Sequence, residues 1–194
     1  FRHYLKLMTR GAIARAEVIA TSSAVTKRAI AHRFRRSAVF LPPAADDFLP
    51  SATGASRLPD NTAKEHPLLV YTASFNARKN HAVLLEACVE LINRGREFQL
   101  ALIQDAPAPP AIRAMAQRCG GRVRFVRPRS PRDVAAWTRS ADAGVFPSRA
   151  EGFGIPMLEA MKSGVPLFAA DIPAARWLTM EGRAAKLLPV DNPM

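Results

Sequence analysis

The sequence predicts an α/β protein whose main part, residues 67–194, is a Rossmann-like, doubly wound parallel sheet. Three observations predict it. From residue 67 onward, short apolar runs alternate with segments of helical period. The connections between them are short, as in α/β units. An aperiodic stretch rich in Pro, Ala, Asp and Ser separates this part from a partial α/β segment at the start.

The elements follow in order. In "FRHYLKLMTRGAIAR", Phe1, Tyr4, Leu5, Met8 and Ile13 share one helical face, while Arg2, Lys6 and Arg10 recur on another. Such a helix suits core packing or an anionic membrane surface. "EVIAT" reads as a short buried strand. "SSAVTKRAIAHRF" reads as a helix capped by Ser22 or Ser23. "SAVFLPP" is a second strand, ended by a proline pair. The predicted divisions are 1–41, a linker over 42–66, and 67–194. In the last, "LLVYTAS" is a strand and "NHAVLLEACVELINRG" a helix closed by Gly95. "FQLALIQ" is a strand, "PAIRAMAQRCGG" a helix and "RVRFV" a strand. "SPRDVAAWTRSA" is a helix with Ser130 as N-cap and Pro131 in its first turn. "DAGVFPS" is a strand, "IPMLEAMKSG" a helix and "VPLFAAD" a strand.

Composition narrows the function classes. The 194 residues carry 28 Lys+Arg against 16 Asp+Glu, a net charge of +12 that favours an anionic partner. Residues 1–40 hold nine basic residues and one acid, Glu17; residues 113–149 hold nine Arg and two acids, Asp133 and Asp142. Aromatics are sparse near both clusters and no recognition-helix or RNA-binding signature is present, so nucleic acid is not the expected partner. Cys88 and Cys119 lack paired spacing and read as reduced, packed thiols. No stretch approaches the ~20 apolar residues of a membrane span. The N-terminus lacks a signal-peptide core. The expected location is cytoplasmic, with peripheral attachment to the inner membrane face as a variant. No Asp-x-Asp pair stands at a strand end, and Asp46-Asp47 falls in the linker, so neither metal nor cofactor is expected.

Ligands of open parallel sheets bind beyond the carboxyl ends of the strands. Two loops lie there. "PSRAEGFGIPMLEAMKSG" follows "DAGVFPS" and carries Glu151 and Glu159 with seven residues between them. Pro156 suits a first helical turn, which leaves the amides of Gly152, Phe153, Gly154 and Ile155 free for an anion. Carboxylates repel phosphate but accept hydrogen bonds from hydroxyls of a ribose or a sugar. The second loop, "SFNARKNH", places Arg78 and Lys79 before a helix, where two cations neutralise a diphosphate without metal. A diphosphate flanked by hydroxyl-bearing rings is a nucleotide sugar. A Glu near a helix start also serves simply to complement the dipole, and an Arg-Lys pair is often only a solvated surface feature.

"SFNARKNHAVLLEA" together with "DAGVFPSRAEGFGIPMLEAMKSGVPLFAAD" resembles the C-terminal half of retaining GT-B glycosyltransferases of the glycogen-synthase-like group (group 1, family 4). The resemblance is strong over residues 67–185. It is weak over residues 10–50, which resemble the end of the family's N-terminal acceptor domain and the crossover. It implies roles. Glu159 holds the ribose hydroxyls and Glu151 faces the transferred sugar. Backbone at Gly152, Phe153, Gly154 and Ile155 touches the sugar or diphosphate. Arg78 and Lys79 bind the diphosphate and stabilise the departing nucleotide. Backbone near Val126 and Arg127 frames the base. The resemblance also implies a UDP-, GDP- or ADP-sugar donor, a glycan or lipid-linked acceptor, and a place in polysaccharide or glycolipid synthesis. The family often carries a glycine and a further basic residue after the first strand, where this chain has Ala73, Ser74 and Phe75. Most of the acceptor domain and the closing helices have no counterpart, so the chain is expected to bind donor and, alone, to transfer nothing. A nucleotide-sugar epimerase and an inactive, non-enzymatic nucleotide- or anion-binding module are the alternatives.

Overall fold

The computed structural model of the chain describes residues 2–43 and 66–191, with side chains from residue 8 onward. Nearly all of the expected linker, residues 44–65, lies outside the described residues. The chain divides into two compact units, Phe1–Ala44 and Ala45–Met194.

The first unit contains α1 (Arg2–Arg15), β1 (Ala20–Thr21), α2 (Ala24–Phe34) and β2 (Val39–Phe40), with β1 and β2 parallel. Of the two candidate caps, Ser23 is the one used: its hydroxyl accepts from the Thr26 amide at 3.3 Å. The C-terminus of α1 is closed by Arg36, whose guanidinium donates to the carbonyls of Ile13 and Ala14, each at 3.0 Å, and of Ala16. A cation there also complements the helix dipole.

The second unit runs β3 (Leu68–Thr72), α3 (His81–Asn93), β4 (Gln99–Ile103), α4 (Pro110–Gln117), β5 (Val123–Val126), α5 (Pro131–Ser140), β6 (Ala143–Phe146), α6 (Ile155–Lys162), β7 (Leu167–Ala170), α7 (Pro173–Leu178) and β8 (Lys186–Leu188). One six-stranded sheet results, in the order β5-β4-β3-β6-β7-β8, and every pairing is parallel. The expected doubly wound sheet is thus present with one strand more than the sequence reading gave. The addition is α7 and β8. α7 has six residues, less than two turns, and β8 has three, so neither shows a period.

Alternation along the strands builds two faces. Leu68 and Val70 of β3, with Ala101 and Ile103 of β4, pack against Trp137 of α5. Tyr71, Leu100 and Leu102 on the other face meet Leu84, Leu85 and Cys88 of α3. Buried on both faces, β3 and β4 read as continuous apolar runs. Gly144 of β6 lets α6 lie close: a Cβ there would stand 2.8 Å from the Phe146 ring and 3.5 Å from the Ala160 methyl. Beside α3, a trough of about 450 Å³ opens along β6–β8, lined by Val83, Leu84, Leu91, Val145, Phe168 and Leu188.

The strand order reverses between β3 and β6. From β3 the chain proceeds outward to β4 and β5, and α5 then returns it to β6 on the other side. Loops leaving β3 and β6 diverge to opposite faces and leave a crevice at their carboxyl ends.

Candidate functional site

The two loops singled out in the sequence meet in that crevice. After β3 the chain makes a short 3-10 turn, Ala77–Lys79, and Asn80 follows in the left-handed region at φ 56°. Asparagine tolerates this conformation because its short amide finds local partners. Here that amide donates to the Pro147 carbonyl at 3.2 Å and to Asp191 Oδ1 at 2.9 Å. Arg149 donates from its backbone to the Arg78 carbonyl at 2.8 Å and from Nε to the same Asp191 oxygen at 2.7 Å. The loops after β3, β6 and β8 are therefore stitched together.

Lys79 is buried, and its Nζ lies 2.6 Å from Glu151 Oε1. Their side chains are only 11% and 10% exposed, so water screens the pair little. Arg78 stands on the open side, 3.5 Å from Glu151 Oε2 and half exposed. Both cations and the first carboxylate of the sequence motif thus form one cluster. In this arrangement Glu151 neutralises Lys79, and Arg78 keeps its charge directed to solvent.

The second loop ends at α6. Gly154 is its N-cap, at φ 95° with no side-chain cap, which leaves the first amides of α6 without side-chain partners from the cap. A side chain at Gly154 would collide with the Met157 methyl. Gly152 is exposed, and Ile155 is 42% exposed at the helix start. Phe153 is buried with its ring 5.5 Å from that of Trp177, so its side chain is committed to packing. Glu159 lies one turn further along and is half-buried. Burial raises its carboxyl above the usual range. No hydrogen bond or ion pair engages its carboxylate among the described residues.

Val126 and Arg127 stand apart from this cluster, at the end of the outermost strand, β5. The Val126 carbonyl is already taken, accepting from the Gln104 amide at 3.0 Å. The exposed Arg127 and the loop beyond it are what remain open there.

Sequence reasoning missed the support beneath the cluster. Tyr71, fully buried, donates its hydroxyl to the Lys79 carbonyl at 2.6 Å and pairs with Ser148 Oγ at 3.0 Å. His81 is buried between the rings of Tyr71 and Phe75, at 4.9 and 4.7 Å. Burial, and then the charge on Lys79, lower its pKa to about 4, so it is neutral near pH 7. Asn80 was readable, since a small polar residue between a turn and a helix is a common left-handed position. Tyr71 carried no such signal, because in a buried strand an aromatic reads as core.

Among the described residues no group of three or more His, Cys, Asp or Glu is arranged to hold a metal ion. No described helix is long and apolar enough to cross a membrane.

Fold and site define a doubly wound α/β domain with its crevice at the switch point. Comparison with known proteins then identifies the group. The sequence profile of the family described as "Glycosyl transferases group 1" matches residues 66–194, and the chain belongs to that family. It is similar to D-inositol 3-phosphate glycosyltransferase 2 of Catenulispora acidiphila, at 30% identity over 159 residues, 76% of this chain and 37% of the relative. It is similar to phosphatidyl-myo-inositol mannosyltransferase of Mycobacterium tuberculosis, at 31% identity over 145 residues, 74% of this chain and 38% of the relative. The chain therefore spans little more than a third of the length of these curated relatives. In fold it resembles sucrose-phosphate synthase from Thermosynechococcus elongatus, with a TM-score of 0.80 and 21% identity, covering 96% of this chain and 49% of that one. It also resembles an Anabaena protein, HepE, solved in complex with UDP and glucose, with a TM-score of 0.79 and 18% identity, covering 97% of this chain and 54% of that one. These likenesses agree with the GT-B fold expected from the sequence.

Proposed function

We propose that this chain is the donor-binding part of a retaining, hexosyl-type glycosyltransferase that takes its sugar from a nucleotide diphosphate sugar. The observation that carries the reading is the Arg78–Lys79–Glu151 cluster in the switch-point crevice, on the loops that lead into α3 and into the α6 start at Gly154, where no side chain caps the helix. Cations and helix amides suit a diphosphate. Carboxylates beside them suit hydroxyls. Lys79 and Arg78 bind the diphosphate, and Glu151 faces the sugar. Glu159 takes the ribose diol, Gly152 to Ile155 offer backbone, and the chain at Val126 and Arg127 borders the base.

The reaction moves one bond. The acceptor oxygen attacks the anomeric carbon on the face from which the phosphate oxygen departs. The bond to phosphate breaks as the bond to the acceptor forms, and the acceptor proton passes to the departing oxygen. The protein supplies orientation and charge stabilisation at the leaving group, a task suited to Lys79 and Arg78. Residues 1–41 are the end of an acceptor-side domain, 42–66 the linker, and 67–194 the donor domain. Relatives named for inositol phosphate and phosphatidyl-inositol substrates favour a glycan or lipid-linked acceptor. With a net charge of +12, this supports a cytoplasmic enzyme working against an anionic membrane face.

A thermal-shift screen of UDP, GDP, ADP and their sugars tests the reading. Ligand at 100 times its dissociation constant adds about 2.7 kcal/mol of stability. Binding is expected to survive a chelator, because the cations are side chains. No shift with any of them, or a shift that vanishes with chelator, overturns the proposal.

A further inference from the structure

Lys79 and Glu151 come from loops far apart in the chain, and keeping their side chains paired at 2.6 Å and about nine-tenths buried depends on how the two backbones are held. Two ties already join the loops, from the Arg149 amide to the Arg78 carbonyl at 2.8 Å and from the buried Asn80 side chain to the Pro147 carbonyl at 3.2 Å, but neither engages Lys79 itself. Arg78 is half exposed, and Asp191 and Arg149 sit at the rim with half of each side chain in water. The tie that does reach Lys79 lies beneath. The Tyr71 ring is held edge-on by Phe146 at 5.8 Å and tilted against His81 at 4.9 Å. Its hydroxyl therefore has one position. There it donates to the carbonyl of Lys79 itself, at 2.6 Å, and its oxygen remains free to accept from Ser148 Oγ at 3.0 Å. Ser148 is itself 2% exposed and lies three residues before Glu151.

We infer that Tyr71 is a positioning residue: its hydroxyl ties the Lys79 backbone to the β6 loop and so sets the Lys79–Glu151 pair, whose cation receives the diphosphate. This rests on the donor-site reading of the cluster. Burial pushes the phenol's pKa up, so the group stays protonated and remains a donor across the working pH range. Loss of the hydroxyl leaves the Lys79 carbonyl and the Ser148 hydroxyl without this buried partner. The turn Ala77–Lys79 is then free to shift, and the pair loosens.

The experiment compares wild type, Tyr71→Phe and Ser148→Ala. Brief acetic anhydride labelling followed by mass spectrometry reads the acetylation rate of Lys79, with exposed Lys186 as internal reference. Titration reads the affinity for UDP, GDP or ADP and for the bare nucleoside. Tyr71→Phe is expected to raise Lys79 acetylation about tenfold and to lower diphosphate affinity by up to about tenfold, the upper end of what one lost neutral hydrogen bond is worth. Nucleoside affinity stays as it was. Ser148→Ala, which spares the bond to Lys79, moves each quantity the same way by less. Unchanged acetylation in Tyr71→Phe overturns the inference, as does an equal fall for nucleoside and diphosphate, which marks Tyr71 as core packing alone. If wild type binds no diphosphate, the donor reading falls, and the acetylation arm still decides the role of Tyr71. If Tyr71→Phe does not fold, Ser148→Ala decides by the same two readouts.

Discussion

Replacing Lys79 with methionine keeps the length of the side chain and removes its charge. The partner is Glu151, 2.6 Å away, with both side chains about nine-tenths buried. Removing one member of a buried pair leaves the other charge desolvated, at a cost of about 3–5 kcal/mol. Arg78 lies 3.5 Å from the second Glu151 oxygen but is 49% exposed, so it compensates only in part. That places the loss near the lower end, about 3 kcal/mol. For a unit of this size the melting temperature falls roughly 2–4 °C per kcal/mol, hence about 6–12 °C. Removing both charges, Lys79→Met with Glu151→Gln, is expected to recover much of the loss, because no desolvated charge remains. Urea unfolding of wild type, both single variants and the double variant closes the cycle. Strict additivity, with the double variant losing the sum of the singles, refutes a buried coupled pair. A Lys79→Met protein as stable as wild type refutes it equally.

Three further outcomes are expected. Glu159→Ala weakens nucleoside diphosphate binding about tenfold or more, and Glu151→Ala chiefly erodes the preference for nucleotide sugar over bare diphosphate; calorimetry on both variants checks the division of roles, and a wild type that binds a deoxyribose diphosphate as well as the ribose form speaks against it. His81 makes folding acid-sensitive: its pKa is lowered from 6.5 to about 4 in the fold, so below pH 6.5 the unfolded chain takes up a proton that the folded chain refuses. Stability should fall by on the order of 3 kcal/mol between those two values, and a His81→Phe chain followed by urea unfolding across pH should show a shallower slope. Gly154→Ala should destabilise the unit by about 1–3 kcal/mol, since φ 95° is strained for alanine and its methyl meets Met157, and melting curves measure it.

Most of the sheet was legible because its strands are buried on both faces and its helices are amphipathic. The helix start at Ser130 with Pro131 follows from capping chemistry alone, while for the earlier helix capping chemistry leaves Ser22 or Ser23 and the structure uses Ser23. Strand β8 and helix α7 were not legible, because their short lengths leave stability to neighbours that only tertiary structure supplies. In the site, the residues that form the cluster stood out by type and spacing: Arg78, Lys79 and Glu151. What the spacing did not reveal is that Lys79 is buried and already paired. Burial of a lysine depends on which loop arrives from 72 positions away, a distance that no local pattern encodes. Tyr71, Ser148 and Asp191 were hidden for the same reason.

The reversal of strand order between β3 and β6 has a kinetic side. Strands β3, β4 and β5 with their helices are sequential neighbours and can assemble from local contacts. The Lys79–Glu151 pair cannot, since it closes a loop spanning 72 residues, and that entropy must be spent before the contact returns anything. α5 has to carry the chain back over the growing sheet before β6 seats beside β3. Nothing in the first half of the unit can therefore hold the complete cluster, even transiently. During refolding, engagement of a ligand by Lys79 and Glu151 together should appear after most helical signal has returned, in step with the docking of β6. A bound anion would then act on the late side of the barrier, slowing unfolding while leaving the early steps of folding at their own pace.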